Sequence, residues 1–397
     1  MNIRKSISLI MLAMLMVALP ACSDVLDDPT PPDTSETPDN QEKPDTPENP
    51  DTPEAPEEKK VPQVITLEAL NITETTVDLS GEVTADNGFR VIERGFVYST
   101  SENPDIENAA RFESGRGLGS YSATVRGLQS NTTYHFKAYA TNSQGTSYGE
   151  ELTFTTKAEA VKNFNINSAV LTMVRVEGGT FQMGGSDENA QVYEKPVHNV
   201  TLDDYYIGLC EVTQEQWVAV MNGRVPGPME EPIWYNNERF LPKNMVSYAE
   251  CLEFISKLNE HTGLEFSLPT EAQWEYAARG GQKSRGYTYA GSNDASEVGW
   301  CYENAATEVK IVATKEPNEL GLYDMTGNVN EWCHDWYDYY SSEDQTNPVG
   351  PGSGDFRVMR GGSVINFYNE CRISHRFGGD PDSHFFFVGF RLALKDK

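Results

Sequence analysis

One turn-forming stretch of the chain, DMTGNVNE, carries several hard oxygen ligands within eight residues. The carboxylates of Asp324 and Glu331 stand at its two ends, and Gly327 allows backbone carbonyls to converge between them. Carboxylate and carbonyl oxygens are the ligands that Ca²⁺ takes in proteins. The stretch therefore predicts a structural calcium site, and the alternative is a hydrogen-bonded turn without metal.

The chain contains six cysteines, the residues that could act as soft metal ligands or as nucleophiles. Cys22 follows an apolar leader, and the other five are Cys210, Cys251, Cys301, Cys333 and Cys371. An odd number of remaining thiols in an exported chain leaves at least one free or paired between molecules. Spacing alone leaves the pairing of Cys210, Cys251 and Cys301 open.

The C-terminal stretch DSHFFFVGFRLA contains three consecutive phenylalanines. In a strand, successive side chains point to opposite faces, so Phe385 and Phe387 share one face and Phe386 takes the other. A strand buried on both faces is one interpretation. The other is that one set of rings is exposed to contact a ligand.

The preceding residues strengthen the second interpretation, because rigid aromatic side chains with small polar neighbours are typical of a recognition surface. We therefore predict a ligand-binding surface near the C-terminus. Its candidate residues are Asn366, Phe367, Tyr368, Asn369, His375, Phe377, His384, Phe385 and Phe387.

The elements that must position these residues show helix-start signals. Capping boxes, in which a hydroxyl residue is followed three positions later by Glu or Gln, begin at Thr213, Ser247 and Thr270. Each precedes an amphipathic stretch, and Gly280 closes the third. Most of the remaining sequence from about 168 onwards is glycine-punctuated loop and short strand.

The N-terminus indicates export. Arg4 and Lys5 precede an apolar run from Leu9 to Leu19 that is too short to span a membrane. The next residues, LPAC, resemble a bacterial lipoprotein box, so residues 1–21 are predicted to be a lipoprotein signal peptide and Cys22 to be lipidated. An ordinary secretory signal is the alternative. Acidic residues after Ser23 favour an outer-membrane lipoprotein displayed at the cell surface, and periplasm-facing anchoring is the second possibility.

Charge and composition limit the partners. The chain of 397 residues has a formal charge of −29, which repels nucleic acid and anionic membranes, so nucleic acid is not expected as a partner. Residues 22–62 are rich in proline, threonine and acids, which predicts a disordered tether. The length of the rest predicts more than one domain.

Residues 63–157 predict the first folded domain. They contain short alternating strands such as TVDLSGEV and YHFKAYATN, a pattern of an immunoglobulin-like sandwich. The stretch GLQSNTTYHFKAYATNSQGTS resembles a fibronectin type III module, in which Tyr134 would be the tyrosine-corner residue and Leu128 its packing partner. The core tryptophan of that module is missing, and Leu79 is the nearest candidate. A spacer is the expected role.

Residues 168–397 form the second unit. Its ordered motifs are GGTFQMG, YIGLCEVTQEQW, LPTEAQWEYAARGG, NELGLYDMTGNVNEWCHDW, RVMRGGS and VGFRLA. Together they resemble the formylglycine-generating enzyme (sulfatase-modifying factor) family, whose domain is a loop-rich variant of the C-type lectin fold. The expected fold class is thus a multidomain chain, an all-β sandwich followed by a loop-rich α+β lectin-like domain.

The resemblance also shows where this chain departs from the oxidases. Those enzymes bind copper through thiolates three and eight positions after the RGGS serine, here Ser363. Cys371 stands at the eighth position, but Asn366 stands at the third. An amide is a poor ligand for Cu(I), so copper is not expected, and Ser363 and Cys371 are vestigial catalytic candidates. Asn330 also replaces the tryptophan that is usual in GNVWEW.

The family implies two further features. Its calcium positions correspond to the side chains of Asp324 and Glu331 and the carbonyls of Gly327 and Val329. Non-oxidase relatives carry cysteines at the positions of Cys333 and Cys371, which implies a disulfide between them, with buried free thiols as the alternative. The histidine-ligated iron of the ergothioneine-synthase relatives needs a helical domain that this sequence does not contain.

The window 364–388 contains no Lys, Gln, Met or Trp, and apart from Glu370 its residues are those reachable from asparagine codons by adenine mutation. Lectin-like domains of this subfamily are targets of diversity-generating retroelements, which mutate such codons. The leading hypothesis is therefore a surface-anchored lipoprotein whose lectin-like domain binds a protein or glycan without catalysis. A formylglycine-generating oxidoreductase and an architectural surface protein are the alternatives.

Overall fold

The computed structural model describes residues 60–167, 169–221 and 237–396. The leader, Cys22 and almost all of the tether lie outside these ranges, so the signal peptide and the lipid anchor stay predictions. Over the described ranges, no helix has both the length and the apolar character that a membrane span requires.

The first part of the described chain consists of antiparallel β-strands. The strands are β1 (Gln63–Thr66), β2 (Thr76–Ala85), β3 (Glu93–Ser99), β4 (Ala110–Glu113), β5 (Gly119–Arg126), β6 (Thr133–Asn142), β7 (Gly145–Tyr148) and β8 (Leu152–Thr155). One sheet has the order β1-β2-β5, and the other has the order β4-β3-β6-β7, with β8 also paired to β6. The sequence pattern predicts six of these strands and misses the short β4 and β7.

Both sheets contribute to one apolar core. Leu79 is fully buried in it, together with Phe96 and Phe136. The hydroxyl of Tyr134 accepts a hydrogen bond from the backbone N–H of Gln129 at 3.0 Å, which is the contact expected of a tyrosine corner. The assignment of this part to the immunoglobulin or fibronectin type III class remains a prediction.

The second part, from residue 161 onwards, contains short strands and five helices. Its strands are β9 (Val161–Ile166), β10 (Ala169–Val176), β11 (Gly179–Met183), β12 (His198–Leu202), β13 (Tyr205–Gly208), β14 (Phe266–Ser267), β15 (Asn330–Trp336), β16 (Gln345–Thr346), β17 (Arg357–Arg360), β18 (Arg376–Gly379), β19 (Val388–Gly389) and β20 (Ala393–Lys395). Its α-helices are α1 (Gln214–Met221), α2 (Tyr248–Thr262), α3 (Glu271–Ala278), α4 (Ala295–Val298) and α5 (Tyr302–Ala305). Single 3₁₀ turns cover Val192–Glu194, Glu238–Phe240, Gly281–Lys283 and Tyr368–Glu370.

These strands form three small sheets with the orders β14-β20-β13-β10-β9, β11-β12-β16 and β18-β17-β15-β19. The last strand, β20, pairs with both β13 and β14, so the C-terminal segment is an internal strand of the five-stranded sheet. The third sheet carries the motifs predicted to hold the site, because β15 contains Glu331 and β17 precedes Ser363.

The predicted helix starts are confirmed. Thr270 accepts a hydrogen bond from Gln273 N at 3.1 Å, and the Gln273 side chain accepts one from Thr270 N at 2.9 Å. Ser247 and Glu250 form the same box at the start of α2. Each box satisfies backbone N–H groups that have no partner within the helix.

Four buried carboxylates pair with four buried arginines across the second domain. The pairs are Glu194–Arg372, Glu271–Arg376, Glu275–Arg360 and Glu331–Arg391. Burial alone would raise the pKa of Glu275, but Arg279 and Arg360 together hold it below its usual range. The charge of Glu275 is therefore maintained by its partners, and loss of one member would leave a buried unpaired charge.

We expect Glu275→Gln to lower the free energy of unfolding by about 3 kcal/mol, because Arg360 would lose the partner of its buried charge. Glu253→Gln is the matched control, since Glu253 forms an exposed pair with Lys257 at 2.8 Å and such pairs contribute at most about 1 kcal/mol. Urea denaturation of both variants measures the difference. Equal, small effects would contradict the structural role of the buried pair.

Candidate functional site

The position of the missing copper thiolate holds an amide that is fully engaged in hydrogen bonds. Asn366 Oδ1 accepts from Ser363 Oγ at 2.7 Å and from Asn330 Nδ2 at 3.3 Å. Its Nδ2 donates to Glu370 Oε2 at 3.5 Å. Ser363, Asn330 and Asn366 thus form a polar network in place of a metal centre.

Cys371 lies beside this network, in a setting that keeps its thiol protonated. Its Sγ is 3.8 Å from Asn366 O and 4.0 Å from Ser363 O. Burial, followed by a hydrogen bond that the Cys371 thiol donates to Cys301, raises the pKa of Cys371 well above its usual value. The thiolate is the nucleophilic form of cysteine, so burial lowers the reactivity of Cys371.

The structure corrects the predicted disulfide between Cys333 and Cys371. All five described cysteines are free thiols. Cys333 packs in an apolar cluster with Val358 and Ile373, and its Sγ approaches the carbonyl of Glu331 at 3.9 Å. Cys371 is instead the neighbour of Cys301, which the sequence left unassigned.

The three consecutive phenylalanines lie in a turn that precedes β19, not in a strand, so strict alternation does not apply to them. Val388 N donates to Phe385 O at 3.2 Å and closes the turn. Phe385 and Phe386 are 39% and 46% exposed. Phe387 packs against the apolar cluster that contains Phe390. The ring of Phe385 stacks on the ring of Phe387, with the two centroids 5.1 Å apart. The exposed pair of rings is therefore Phe385 and Phe386, and not Phe385 and Phe387 as predicted.

Two other predicted contact residues are removed from the surface. His375 is buried, with its Nε2 3.0 Å from the hydroxyl of Tyr193, and burial lowers its pKa to about 4. Its ring lies 4.5 Å from that of Phe377, which packs against the same apolar cluster as Phe387. His375 is thus part of the interior, and Phe377 is partly buried against it.

The remaining predicted residues are accessible to different degrees. Phe367 is 53% exposed, and Asn369 is also exposed. Tyr368 is partly buried, and its backbone N–H donates to Glu303. His384 is half exposed and lies 3.0 Å from the carboxylate of Glu250.

Asn330 joins the two exposed segments. Its backbone N–H donates to Phe387 O at 2.8 Å, while its side chain donates to Asn366. The Oδ1 atom of Asn330 is buried and has no hydrogen-bond partner among the described residues. The sequence identified Asn330 as a departure from the family motif, but its bridging role needed the structure. We name the exposed side chains of Phe367, Phe385 and Phe386 the terminal surface.

The predicted calcium turn is present, but one of its side-chain ligands is already used. Glu331 accepts hydrogen bonds from Arg391 at 2.5 and 2.6 Å and from Trp274 Nε1 at 2.7 Å. These contacts occupy both carboxylate oxygens, so Glu331 is not a free ligand. Within the described ranges, no group of three or more His, Cys, Asp or Glu side chains is arranged to hold a metal ion.

Two other oxygens in this region fit a cation better. Asp324 Oδ1 and Glu211 Oε2 are buried and accept no hydrogen bond from an N–H or hydroxyl group of the described residues, and the two carboxyl groups lie within hydrogen-bonding distance of each other. Burial raises the pKa of Asp324 to about 6 and, together with the Asp324 charge, raises that of Glu211 well above its usual value. Asp324 and Glu211, with the carbonyls of Gly327 and Val329, are therefore the oxygens that would hold Ca²⁺.

Comparison with known proteins agrees with this geometry. Residues 157–396 match the family described as "Sulfatase-modifying factor enzyme 1-like domain". The chain belongs to this family. It is 38% identical over 284 residues to the formylglycine-generating enzyme of Streptomyces coelicolor, covering 55% of this chain and 88% of that protein. It is 34% identical over 246 residues to the chaperone protein LppX of Paenibacillus barcinonensis, covering 51% and 82%.

Solved structures give the same result. Treponema denticola variable protein 1 superposes with a TM-score of 0.54 at 29% identity, covering 60% of this chain and all (100%) of that one. PvdO from Pseudomonas aeruginosa superposes with a TM-score of 0.50 at 24% identity, covering 60% and 99%, and shows the fold alone. The family and the lectin-like fold of the second domain are thus confirmed.

We expect removal of Ca²⁺ by a chelator to lower the melting temperature of the wild-type protein, because Asp324 and Glu211 would lose a counterion. The variant Asp324→Ala should be nearly insensitive to the chelator. Glu253→Gln provides the control, since it changes an exposed carboxylate far from the turn in sequence. Equal chelator sensitivity in the wild type and Asp324→Ala would exclude this calcium assignment.

The free thiols lead to a second prediction. When the protein is oxidised with oxidised glutathione, any internal disulfide of Cys371 should form with Cys301, because these thiols are in contact. Peptide mapping without reduction should detect the 301–371 pair, and Cys333 should be alkylated only after unfolding. A 333–371 peptide pair would contradict the structure.

Proposed function

We propose that this protein is a surface-anchored binding protein whose second domain recognises an extracellular protein or glycan through the terminal surface, without catalysis. The observation that carries the proposal is the exposure of Phe367, Phe385 and Phe386 beside an engaged amide at Asn366. The aromatic residues provide a contact surface, and the amide occupies the place of a copper ligand.

The apolar area around these residues extends beyond the predicted window. Tyr302 is exposed, and its ring lies 4.8 Å from that of Phe367. Met245 is exposed, and its N–H donates to Phe385 O. Aromatic residues are enriched among those that dominate binding energy, and exposed apolar patches on soluble proteins commonly mark interaction sites. An apolar ligand face, rather than an anionic one, suits a chain of this charge.

Hydrogen bonds hold the surface in a defined shape. Phe385, Phe386 and Phe387 each use their backbone carbonyl to accept a hydrogen bond, from Met245 N, Asn244 Nδ2 and Asn330 N respectively. A surface held before the ligand arrives loses less entropy on binding. The similarity to a protein named variable protein 1 supports the further proposal that this segment is diversified among copies.

The anchoring part of the proposal rests on the sequence. A lipid on Cys22 would hold the protein in the outer membrane, and the acidic, proline-rich tether would extend the folded domains from the cell surface. The residues from 63 to 157 would then act as a spacer. A cell-surface location suits a domain whose expected partner is extracellular.

A second candidate function is oxidation of a sulfatase cysteine to formylglycine. It is favoured by the identity to the Streptomyces coelicolor enzyme and by the retention of Ser363 next to Cys371. Against it stands Asn366, which occupies the position of the second copper thiolate and leaves only one of the two expected thiol positions filled. An architectural role is the third candidate.

The terminal surface can be tested with a ligand identified on arrays of purified extracellular proteins and glycans. We expect the double variant Phe385→Ser, Phe386→Ser to lose at least tenfold in affinity while its stability changes little, because exposed substitutions usually shift stability by about 0.5 kcal/mol or less. Phe387→Ser should instead destabilise the domain more than the double variant does, since its partly buried ring packs against the core.

Phe112→Ser is the matched control for an exposed phenylalanine, because Phe112 lies on β4 of the first domain. It should retain full affinity. Unchanged binding by the double variant would exclude the terminal surface as the contact. Oxidation of a sulfatase-motif peptide by the copper-treated wild type would contradict the non-catalytic assignment.

A further inference from the structure

A separate cleft opens beside the end of β15, with a cavity volume of about 330 Å³. The residues that line it include the carboxylates of Asp335 and Glu271 and the rings of Trp336, Tyr339 and Tyr340. The loop 348–351 also lines it. None of these residues belongs to the terminal surface, and the proposed function does not use them.

Asp335 lines this cleft with a carboxylate that has one oxygen without a hydrogen-bond partner in another described residue. The residue is 5% exposed, and its Oδ2 accepts a hydrogen bond from Glu271 N at 2.8 Å. Its Oδ1 makes no hydrogen bond to another residue in the described ranges. Burial, and then the charge of Glu271, raises the pKa of Asp335 to about 7. The charged groups that face it are Glu271, Arg376 and Arg357, and the neutral titratable neighbours are Tyr248 and Cys333.

The only guanidinium that lines the cleft in the described ranges is already neutralised. Arg376 donates to both oxygens of Glu271 at 2.6 Å and to the carbonyl of Asp338 at 2.6 Å. Arg360, which also approaches Glu271, is paired with Glu275. Asp335 and Asp338 are the lining carboxylates that form no ion pair in the described ranges, and Arg357, which faces Asp335, does not line the cleft. The lining therefore carries an excess of negative charge, which favours a positively charged ligand.

The aromatic residues of the cleft also favour a positively charged ligand. The guanidinium of Arg357 lies 3.6 Å from the ring centroid of Trp336, and that of Arg376 lies 4.1 Å from the centroid of Tyr340. Tyr339 is 73% exposed, and no Lys or Arg of the described ranges stacks on its ring. A ring face at the mouth of an acidic cleft is a position for a cation.

We propose that this cleft binds a small organic ammonium group. The ammonium donates a hydrogen bond to Asp335 Oδ1 and lies against the ring of Tyr339. The carbon chain next to it packs on Pro348 and Val349. An alkylamine, as in a lysine side chain, and an amino sugar share this chemistry.

Calorimetric titration of the full chain with n-pentylammonium tests the proposal, with 1-pentanol as the neutral match. We expect the amine to bind at pH 8 and the alcohol to bind at least tenfold more weakly. At pH 6 the amine should bind about tenfold more weakly than at pH 8, because it must displace the proton that Asp335 then carries. Glucosamine, compared with glucose, distinguishes an amino sugar from an alkylamine as the preferred source.

Asp335→Asn should lose at least tenfold in amine affinity and lose the pH dependence, while its amide oxygen can still accept from Glu271 N. Asp338→Asn is the control for general acidity and should change the affinity less than threefold with the pH dependence retained. Equal binding of amine and alcohol, absence of amine binding, or wild-type behaviour of Asp335→Asn would overturn the proposal. The amine-to-alcohol ratio and the pH profile of the wild type decide the question even where Asp335→Asn fails to fold.

Discussion

Buried carboxylate–guanidinium pairs are the constraint on which the lectin-like domain depends. Most of this domain is loop, and each buried arginine also donates to loop carbonyls. Arg391 reaches Gly208 O and Tyr323 O, and Arg360 reaches Ile373 O and His375 O. Apolar contacts have no preferred direction, so a hydrophobic core does not determine the path of a loop. A guanidinium donates in fixed directions and therefore determines where the loop carbonyls lie. The pairs therefore contribute more to a unique loop arrangement than to net stability.

The same pairs explain why the family was recognisable from sequence. The motif LPTEAQWEYAARGG supplies Glu271 and Glu275, and RVMRGGS, NEW and VGFRLA supply Arg360, Glu331 and Arg391. Local signals also predicted the starts of α1, α2 and α3, because a capping box is complete within four residues. The pairings themselves could not be predicted, since the partners are separated by 60, 85 and 105 residues. Only the folded loops determine which carboxylate meets which arginine.

The site predictions depart from the structure for related reasons. Alternation assigned Phe387 to the surface, but the turn at 385–388 places its partly buried ring against the core and leaves Phe386 exposed. That Glu331 binds calcium stays a prediction, but Arg391 and Trp274 donate to its oxygens, and a carboxylate oxygen without such a donor belongs to Glu211, 120 positions from Glu331 in the sequence. Cys371 meets Cys301 and not Cys333, because the loop after Ser363 folds over α5.

The buried ion pairs fix the loops of the domain, whereas the side chains of the terminal surface face solvent. This difference determines how the terminal surface can vary. Its turn is held by backbone carbonyls at 385, 386 and 387, and the donors Met245, Asn244 and Asn330 belong to other segments. A substitution at Phe385 or Phe386 therefore leaves these hydrogen bonds intact, while the buried pairs keep the surrounding loops in place. The shape of the surface is thus largely independent of the side chains it presents. A scaffold of this kind can exchange its contact residues, and so its ligand, without a new fold for each exchange.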